Sequence, residues 1–197
     1  MTKAERTREF IIQKSAPLFN TKGYEGTSLS DIQEATNLTK GAIYGNFADK
    51  NELEVAVFEF SCSAVLERIK EIMQKNATAK EALLAYANYY TENWQVVFKR
   101  GGCPVMNTAI EADDHLHYMK DSVRKNMKRF IKLLTTTIEQ GQANNEFKAN
   151  ADAEEYAAFI YSVIEGNILL AKTMNTPKYF HIATKHIKQT IEQELMK

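Results

Sequence analysis

Residues 27–53 hold two short helical segments separated by a sharp turn, and this stretch limits the possible folds more than any other. Ser28 stands where the first helix is expected to begin, and Asp31 follows three residues later. Their hydroxyl and carboxylate can satisfy free N–H groups in the first helical turn. Asn37 tolerates a left-handed backbone, so we expect it to end this helix in a tight turn.

A second short helix is expected directly after the turn. Thr39 is a good N-cap, and the helix should run from Lys40 to about Asn46. Asp49 then starts a third helix with Lys50 in its first turn. Free backbone N–H groups, the helix dipole and the lysine charge all favour an anion such as a phosphate there. Two helices at a sharp turn, followed by a third, are typical of a helix-turn-helix that binds DNA.

The side chains expected to contact DNA lie at the start of each of these helices and on one face of the second. A side chain as large as Tyr44 on an exposed helix face favours a binding role over a structural one. The predicted DNA-binding residues are Ser28, Thr39, Lys40, Gly41, Tyr44, Gly45, Asn46 and Lys50.

A set of residues at fixed spacings extends through this segment: Gly23-Tyr24, Thr27-Ser28, Asp31-Ile32, Lys40-Gly41, Ile43-Tyr44, Phe47, Lys50 and Leu53. With these residues, about residues 6–58 resemble the DNA-binding domain of the TetR family of bacterial transcriptional regulators. Two positions depart from the common pattern. Asn37 stands where glycine is frequent, which changes little. Gly45-Asn46 replaces an aromatic or histidine pair, and this second departure affects which DNA bases the domain prefers.

The resemblance implies a ligand-responsive regulator that binds double-stranded DNA. We expect a repressor that binds a palindromic operator as a homodimer and is released by a small-molecule effector. An activator would use the same parts. Two recognition helices about 34–36 Å apart can contact two half-sites, whereas one short helix contacts too few bases.

The whole chain has the pattern of an all-α protein with two domains. Its 197 residues exceed the usual size of one domain. We predict an N-terminal three-helix helix-turn-helix domain over residues 1–50, joined by a continuous helix to a larger ligand-binding and dimerisation domain over 51–197. No stretch approaches the roughly 18 apolar residues of a membrane span, and no secretory segment begins the chain, so a cytoplasmic location is expected.

Apolar residues recur every three or four positions along the rest of the chain, and no sustained alternation indicates a strand. The long helix from Asp49 belongs to both domains. The predicted helices are Lys3 to Thr21, Asp49 to about Gln74, Ala79 to about Phe98, Pro104 to about Ala112, Leu116 to Asn144, Ala153 to Thr173, and Thr176-Pro177 to about Leu195.

Net charge is the one feature of the composition that argues against DNA binding. Residues 1–50 contain seven cations and six carboxylates, and seven minus six leaves only plus one. Nucleic-acid-binding domains are usually basic. We therefore expect the cations to cluster near the N-terminus and the recognition helix, with modest non-specific affinity and a shallow salt dependence.

The second domain contains large apolar side chains with a few polar ones, which is the composition of a small-molecule site. Each of these residues, taken alone, is also compatible with a plain hydrophobic core. Asn107 is the best polar candidate because a mostly apolar short helix has little other use for it. The predicted effector-binding residues are Cys62, Leu66, Tyr86, Tyr90, Trp94, Cys103, Met106, Asn107, Ile110, Met127, Phe130, Phe159 and Val163.

The last two helices carry more apolar residues than one small domain needs, so a homodimer through these helices is expected, as a four-helix bundle. The resemblance implies the same dimer. The residues concerned are Ala157, Ala158, Ile160, Tyr161, Ile164, Ile168, Leu169, Ile182, Ile187, Ile191 and Leu195.

Metal binding, cofactor binding and catalysis are not expected. Glu111, Asp113, Asp114, His115 and His117 could in principle bind a divalent metal, but helix caps and solvated groups give the same pattern. The two cysteines are too few for a disulfide framework. No catalytic motif is present, so the chain is not expected to be an enzyme. Two alternatives remain: a helical small-molecule-binding protein or enzyme with a non-functional DNA-binding domain, and a protein-interaction adaptor.

Overall fold

Ten α-helices account for most of the chain, and the computed structural model describes all 197 residues. A single 3₁₀ turn, His117–Met119, precedes the eighth helix, and a π-helical turn, Ile191–Leu195, follows the tenth. The helices are α1 Lys3–Lys22, α2 Leu29–Thr36, α3 Lys40–Tyr44, α4 Lys50–Met73, α5 Ala79–Glu92, α6 Trp94–Lys99, α7 Pro104–Asp114, α8 Lys120–Ala143, α9 Ala153–Thr173 and α10 Lys178–Thr190.

The predicted all-α class is confirmed. An isolated antiparallel β-bridge joins Phe147 and Met196, and it belongs to no strand. None of the helices combines the length and the apolar character needed to cross a lipid bilayer.

The helix starts follow from local capping chemistry. Thr2 and Glu5 form a capping box at α1, and Thr78 and Glu81 form one at α5. Asp152 accepts hydrogen bonds from the first turn of α9, at the position where the sequence predicts a cap. These side chains satisfy N–H groups that have no partner within the helix, so they fix where each helix begins.

The prediction of one helix from Ala79 to Phe98 is wrong, because α5 ends at Glu92 and α6 begins at Trp94. Asn93 lies between them with φ −114° and ψ 18°, outside the helical region. Both its backbone N–H and its side-chain Nδ2 donate to the carbonyl of Tyr89, at 3.0 and 2.9 Å. Asn competes in this way with the backbone hydrogen bonds of a helix, which explains the break.

The chain packs as two compact units. The first unit comprises residues 1–64 and 103–126, so α7 and the start of α8 pack with α1–α3 and the first part of α4. The predicted functional boundary near residue 50 stays a prediction. The core of this unit contains Ile11, Phe19, Tyr24, Ile32, Ile43, Phe47, Leu53, Val57, Phe58, Val105 and Met119.

The second unit comprises residues 65–102 and 127–197, and α10 packs against both α5 and α9. Its C-terminal end is fixed to the loop after α8, where the Lys148 N–H donates to the Leu195 carbonyl at 2.8 Å. The core of this unit contains Ile69, Leu83, Tyr86, Leu134, Ile138, Phe147, Ile160, Ile164, Ile168, Phe180, Ile187 and Leu195.

Candidate nucleic-acid interface and ligand region

The start of α2 is fixed by two side chains that cap each other's backbone. The Ser28 hydroxyl accepts from the Asp31 N–H at 3.2 Å, and the Asp31 carboxylate accepts from the Ser28 N–H at 2.8 Å. Lys22 Nζ lies 2.6 Å from Asp31 Oδ1 and joins the end of α1 to this turn. Hydrogen bonds from Lys22 and then Ser28 hold the pKa of the Asp31 carboxyl well below its usual range.

The turn between α2 and α3 has the predicted geometry. Asn37 adopts φ 60° and ψ 28°, and its N–H donates to the Gln33 carbonyl at 2.7 Å. Thr39 caps α3 by accepting from the Ala42 N–H at 3.3 Å. α3 ends at Tyr44, two residues earlier than predicted, because Gly45 and Asn46 close the helix with bonds to Gly41 and Ile43.

α3 has one buried and one exposed face. Ile43 is fully buried, and Phe47 closes the core beneath it. Lys40, Gly41 and Gly45 are exposed, whereas Tyr44 and Asn46 are half-buried. Lys40, Gly41 and Tyr44 therefore lie on the accessible side of α3. Gly45 and Asn46 follow its end, where the Asn46 Nδ2 donates to the Ala42 carbonyl at 2.8 Å. The accessible side of α3 can enter a major groove, since the groove is about 12 Å wide.

Arg8 on α1 holds the end of α3, a role that no sequence motif indicates. Its Nη1 donates to the Asn46 carbonyl at 3.0 Å, its Nη2 lies 2.9 Å from Glu52 Oε1, and its guanidinium lies 4.1 Å from the Phe47 ring centre. These contacts use the planar guanidinium for hydrogen bonding and for a cation–π contact at once. Arg8 thus fixes α3 relative to α1 and α4.

Lys50 makes two contacts within the protein at the start of α4. Its ammonium donates to the Tyr24 carbonyl at 3.3 Å and pairs with Glu54 at 3.1 Å. Asp49 and Glu52 occupy nearby N–H groups, since Glu52 accepts from Ala48 N–H and Asp49 accepts from Glu52 N–H. Lys50 therefore supports the fold beside its predicted phosphate-binding role.

Ion pairing leaves a small set of cations available around the helix-turn-helix. Arg8, Lys22 and Lys50 pair with carboxylates. Lys3, Arg6 and Lys40 are exposed and form no ion pair. These residues give the surface near the N-terminus and α3 a local positive charge although the net charge of residues 1–50 is near zero.

α7 contacts the helix-turn-helix at several points. Asn107 Nδ2 donates to the carbonyl and Oδ1 of Asn20 on α1, at 3.2 and 3.0 Å. Thr108 hydrogen-bonds the buried Tyr24 phenol, and burial raises the pKa of that phenol above its ordinary value. Glu111 Oε2 accepts from the backbone N–H groups of Tyr24 and Glu25, at 2.8 and 3.1 Å. Asn107, predicted as a ligand-binding residue, thus joins α7 to α1.

A buried carboxylate links the start of α4 to the 3₁₀ turn after α7. Glu54 is 2% exposed, pairs with Lys50, and accepts a hydrogen bond from the Tyr118 hydroxyl. Burial and this hydrogen bond raise the pKa of Tyr118 above its ordinary value. The lysine and the phenol together satisfy a charge that would otherwise be costly to bury.

Glu59, one turn and a half further along α4, contacts the start of α8. It accepts from Ser122 and pairs with Lys125 at 3.2 Å. Burial raises the pKa of Glu59, and hydrogen bonds from Ser122, Asn126 and Lys125 outweigh it, so the pKa lies below the ordinary value. Within the first unit, α4 is therefore bonded both to the 3₁₀ turn, through Glu54, and to the start of α8, through Glu59.

The residues considered for metal binding have other contacts or lie exposed. Glu111 binds the backbone of Tyr24 and Glu25, and Asp113 pairs with Lys120 at 3.2 Å. His117 Nδ1 lies 3.4 Å from the Ala112 carbonyl, and Asp114 and His115 are exposed. These residues form no group that could hold a metal ion.

The predicted effector-binding residues are divided between the two units. Cys62, Cys103, Met106, Asn107 and Ile110 belong to the first, and the other eight to the second. Cys62 and Cys103 are buried free thiols, whereas Ile110 is 60% exposed. The role of these residues as ligand contacts stays a prediction.

Within the second unit, the aromatic members pack in two groups. Tyr86 and Tyr90 have ring centres 5.6 Å apart, and Tyr90 lies 6.1 Å from Phe180. Phe130 stacks 6.0 Å from Tyr161. Phe159, in contrast, is 42% exposed on α9. Rings packed at these distances are typical of a hydrophobic core, which is the plain alternative for these positions.

A groove of about 590 Å³ lies on the second unit, between α8 and the start of α9. It shares no residue with the predicted effector-binding set. Polar and charged side chains form much of its surface; the lining residues are Lys128, Ile131, Lys132, Thr135, Glu139, Asp152, Ala153 and Glu154.

The last two helices keep an apolar surface, but mostly through residues other than those predicted. Of the predicted residues, Leu169 and Ile182 are exposed, Ala158 is partly exposed, and the other eight are buried within the protomer. These eight pack into the core of their own chain and cannot form a dimer interface. The apolar surface is formed by other residues of the same segment. The exposed apolar residues are Phe159, Leu169, Leu170, Met174 and Ile182.

Comparisons with known proteins agree on one family for both parts of the chain. Residues 11–57 match the family model described as bacterial regulatory proteins, tetR family, and residues 79–187 match the tetracyclin repressor-like C-terminal domain. A crystal structure of a TetR family regulator from Cytophaga hutchinsonii is 36% identical, with a TM-score of 0.94, and the match covers 100% of this chain and 98% of that one.

Two further relatives support the same grouping. A TetR regulator structure from Chloroflexus aurantiacus is 32% identical, with a TM-score of 0.89 over 100% of this chain and 99% of that one. The HTH-type transcriptional repressor NemR of Escherichia coli is 25% identical over 94% of each chain.

Proposed function

This chain belongs to the TetR family of bacterial transcriptional regulators, and we propose that it is a cytoplasmic repressor that binds a palindromic operator as a homodimer and is released by a small molecule. It is a ligand-responsive, DNA-binding regulator. The observation that carries the finer proposal is the capped helix-turn-helix, whose α3 has a buried Ile43 and an opposite face of exposed or half-buried Lys40, Gly41 and Tyr44.

In the proposed complex, α3 and the residues on either side of the helix-turn-helix have different roles. Lys40 and Tyr44 on α3, with Asn46 just after it, contact base edges or phosphates in the major groove. Ser28 and Lys50 hold phosphates on either side, with Thr39, Gly41 and Gly45 close to the DNA backbone. The exposed, unpaired cations Lys3, Arg6 and Lys40 supply the long-range attraction.

Dimerisation uses the apolar residues that α9 and α10 leave exposed. Phe159, Leu169 and Leu170 on α9, with Ile182 on α10, form this surface. Gly166 lies among them, and a Cβ there would meet nothing within 4 Å, which leaves room for close approach of a partner helix. A two-fold dimer would place one recognition helix on each half-site.

Release follows from the continuity of α4. This helix starts with DNA-binding residues at Lys50 and runs without a break to Met73 in the second unit. A ligand held by the predicted residues of the second domain changes the placement of α4 and so the spacing of the two recognition helices. The leverage is limited to the ligand's differential affinity for the two states, typically about 1–3 kcal/mol.

The competing function is a helical ligand-binding protein or enzyme whose helix-turn-helix no longer binds DNA. The near-neutral charge of residues 1–50 is the observation that keeps it in view. We infer no catalytic step, because the polar side chains of the chain serve helix capping, core packing and ion pairing. DNA binding that weakens with added salt separates the two functions.

The direct test is a fluorescence-anisotropy titration of the purified protein with the DNA flanking its own gene. A scrambled duplex is measured beside it, at about 50 and 200 mM salt. We expect saturable binding that prefers the native duplex and weakens with salt. Equal, weak binding to both duplexes would favour the ligand-binding alternative.

Tyr44→Ala tests the assignment of the recognition helix. Losing a base or phosphate contact should weaken binding to the preferred duplex at least about ten-fold, while the dimer persists. Tyr44→Phe, which keeps the half-buried ring, separates loss of the hydroxyl from loss of packing. Wild-type affinity in the alanine variant would show that α3 does not contact the DNA through this side chain.

A further inference from the structure

The carboxylate of Glu111 lies inside the α1–α2 turn, which we define as residues 23–28. Its Oε2 accepts from the N–H groups of Tyr24 and Glu25. A Cβ at residue 23 would lie 3.1 Å from Oε1 and 3.2 Å from Oε2. Gly23 also has φ +83°. The turn therefore needs glycine at residue 23 both for its backbone conformation and for the approach of this carboxylate.

The α1–α2 turn is in contact with the helices on both of its sides. The Thr27 hydroxyl donates to the Gly23 carbonyl at 2.7 Å, and Thr27 is fully buried. Ser28 caps α2, and the Tyr24 carbonyl accepts from Lys50 at the start of α4. This turn is consequently bonded to the first turns of α2 and α4, and α3 lies between them.

We propose that Glu111 is a positioning residue for DNA binding: it holds the backbone of the α1–α2 turn and thereby fixes α2 and the recognition helix α3 relative to α7. Hydrogen bonds to a carboxylate are shorter and stronger than those between neutral groups, so two of them on adjacent amides restrain the turn effectively. The inference rests on the proposed function, because it assigns Glu111 to the binding of DNA.

α7 also connects the α1–α2 turn with residues predicted to bind the effector. Asn107 and Thr108 hold Asn20 and Tyr24 from the preceding turn of the same helix. Met106, Asn107 and Ile110 on α7 belong to the predicted effector-binding residues. A shift of α7 is thus transmitted to the α1–α2 turn through Glu111 without passing through α4.

Simple electrostatics and the positioning role predict opposite effects on DNA affinity. Removing a negative charge strengthens the attraction of a protein for phosphates. Loss of a positioning contact weakens binding to the preferred sequence. Asp114→Asn is a matched control, because Asp114 is an exposed carboxylate on α7 with the same charge.

The experiment compares Glu111→Ala, Glu111→Gln and Asp114→Asn in the full-length protein. Anisotropy titrations use the duplex flanking the gene and its scrambled form. Glu111→Ala should lose about ten-fold in affinity for the flanking duplex. Glu111→Gln, which keeps an acceptor oxygen, should lose less. Asp114→Asn should bind equally or slightly more tightly, and neither alanine nor asparagine should weaken binding to the scrambled duplex.

Amide hydrogen exchange in the free protein tests the same inference without DNA. In Glu111→Ala, exchange should become about ten-fold faster at residues 24–25 and also in residues 39–46, and not in Asp114→Asn. Faster exchange confined to residues 24–25, or none, would overturn the positioning role. If Glu111→Ala is destabilised throughout, the milder Glu111→Gln decides by the same criterion. Wild-type protein that prefers neither duplex would contradict the proposed function, while the exchange result would still decide the role of Glu111.

Discussion

Gly23 precedes the helix-turn-helix and Gly41 lies within its α3, yet the protein's own packing requires glycine only at Gly23. Gly23 has a positive φ and a carboxylate against its α-carbon. At Gly41 a Cβ would meet nothing within 4 Å, and the residue is exposed on α3. Glycine is a poor helix former, so its presence in α3 needs a reason outside the fold, such as close approach of a DNA backbone.

Gly41→Ala should therefore have opposite effects on stability and on DNA binding. We expect the free energy of unfolding to rise by about 0.4–1 kcal/mol, because alanine restricts the unfolded chain. Affinity for the preferred duplex should fall several-fold if the DNA backbone approaches this α-carbon. Urea denaturation and anisotropy on the same protein sample measure both quantities. Unchanged affinity together with raised stability would remove Gly41 from the DNA-binding surface.

At the level of single residues, short polar side chains were predicted well and long ones less completely. Ser28, Asn37 and Thr39 cap helices as expected, because their partners lie within a few residues along the chain. Lys50 and Asn107 contact Tyr24 and Asn20, which are far away in sequence. Those partners depend on which helices pack together, and the local pattern does not contain that information.

Helix boundaries depend on a competition between side-chain and backbone hydrogen bonds. The apolar pattern continues through residues 79–98, but Asn93 bonds the Tyr89 carbonyl and divides the segment. At α2 the same kind of competition favours the helix, because Ser28 and Asp31 cap its first turn. The start of α2 is thus stabilised in part by the Asp31 carboxylate, which accepts from the Ser28 N–H.

Asp31→Asn should make the stability of the protein less dependent on acid. The pKa of Asp31 is lower in the folded protein than in the unfolded chain, where it is about 3.9. Its stabilising contribution is therefore fully present above that value and is lost as the pH falls towards the folded pKa. The wild type should be the more stable protein at pH 7, and the difference should shrink at about pH 3. Urea denaturation at both pH values measures the difference in unfolding free energy between the two proteins. A difference that stays constant between the two pH values would contradict this prediction.

At the scale of the whole molecule, the protomer buries most of the apolar residues of α9 and α10 but leaves a remaining set exposed. Leu170 is 46% exposed and lies one helical turn from Gly166. Several large apolar residues exposed along the same helices indicate an interaction surface. In the dimer proposed above, a second copy of the chain covers this surface.

Leu170→Glu should disrupt the dimer, because a carboxylate would be buried at the interface without a partner. We expect a monomer in analytical ultracentrifugation and a loss of affinity for the palindromic duplex of at least about ten-fold. Gln140→Glu adds the same charge at an exposed position on a different helix, α8. A variant at Leu170 that remains dimeric would exclude α9 from the interface, whereas equal dissociation of both variants would indicate a general charge effect.

The sequence by itself determined the all-α class, the family, the helix-turn-helix and its caps. Helical periodicity and capping depend on residues within one or two turns of each other, so they can be recognised in the chain as written. Tertiary structure alone decided that α7 packs with the DNA-binding helices and that Glu111 binds the α1–α2 turn. It also decided which apolar faces of α9 and α10 stay exposed. Those contacts join residues up to 87 positions apart, and they exist only once helices that are separate in sequence have packed together.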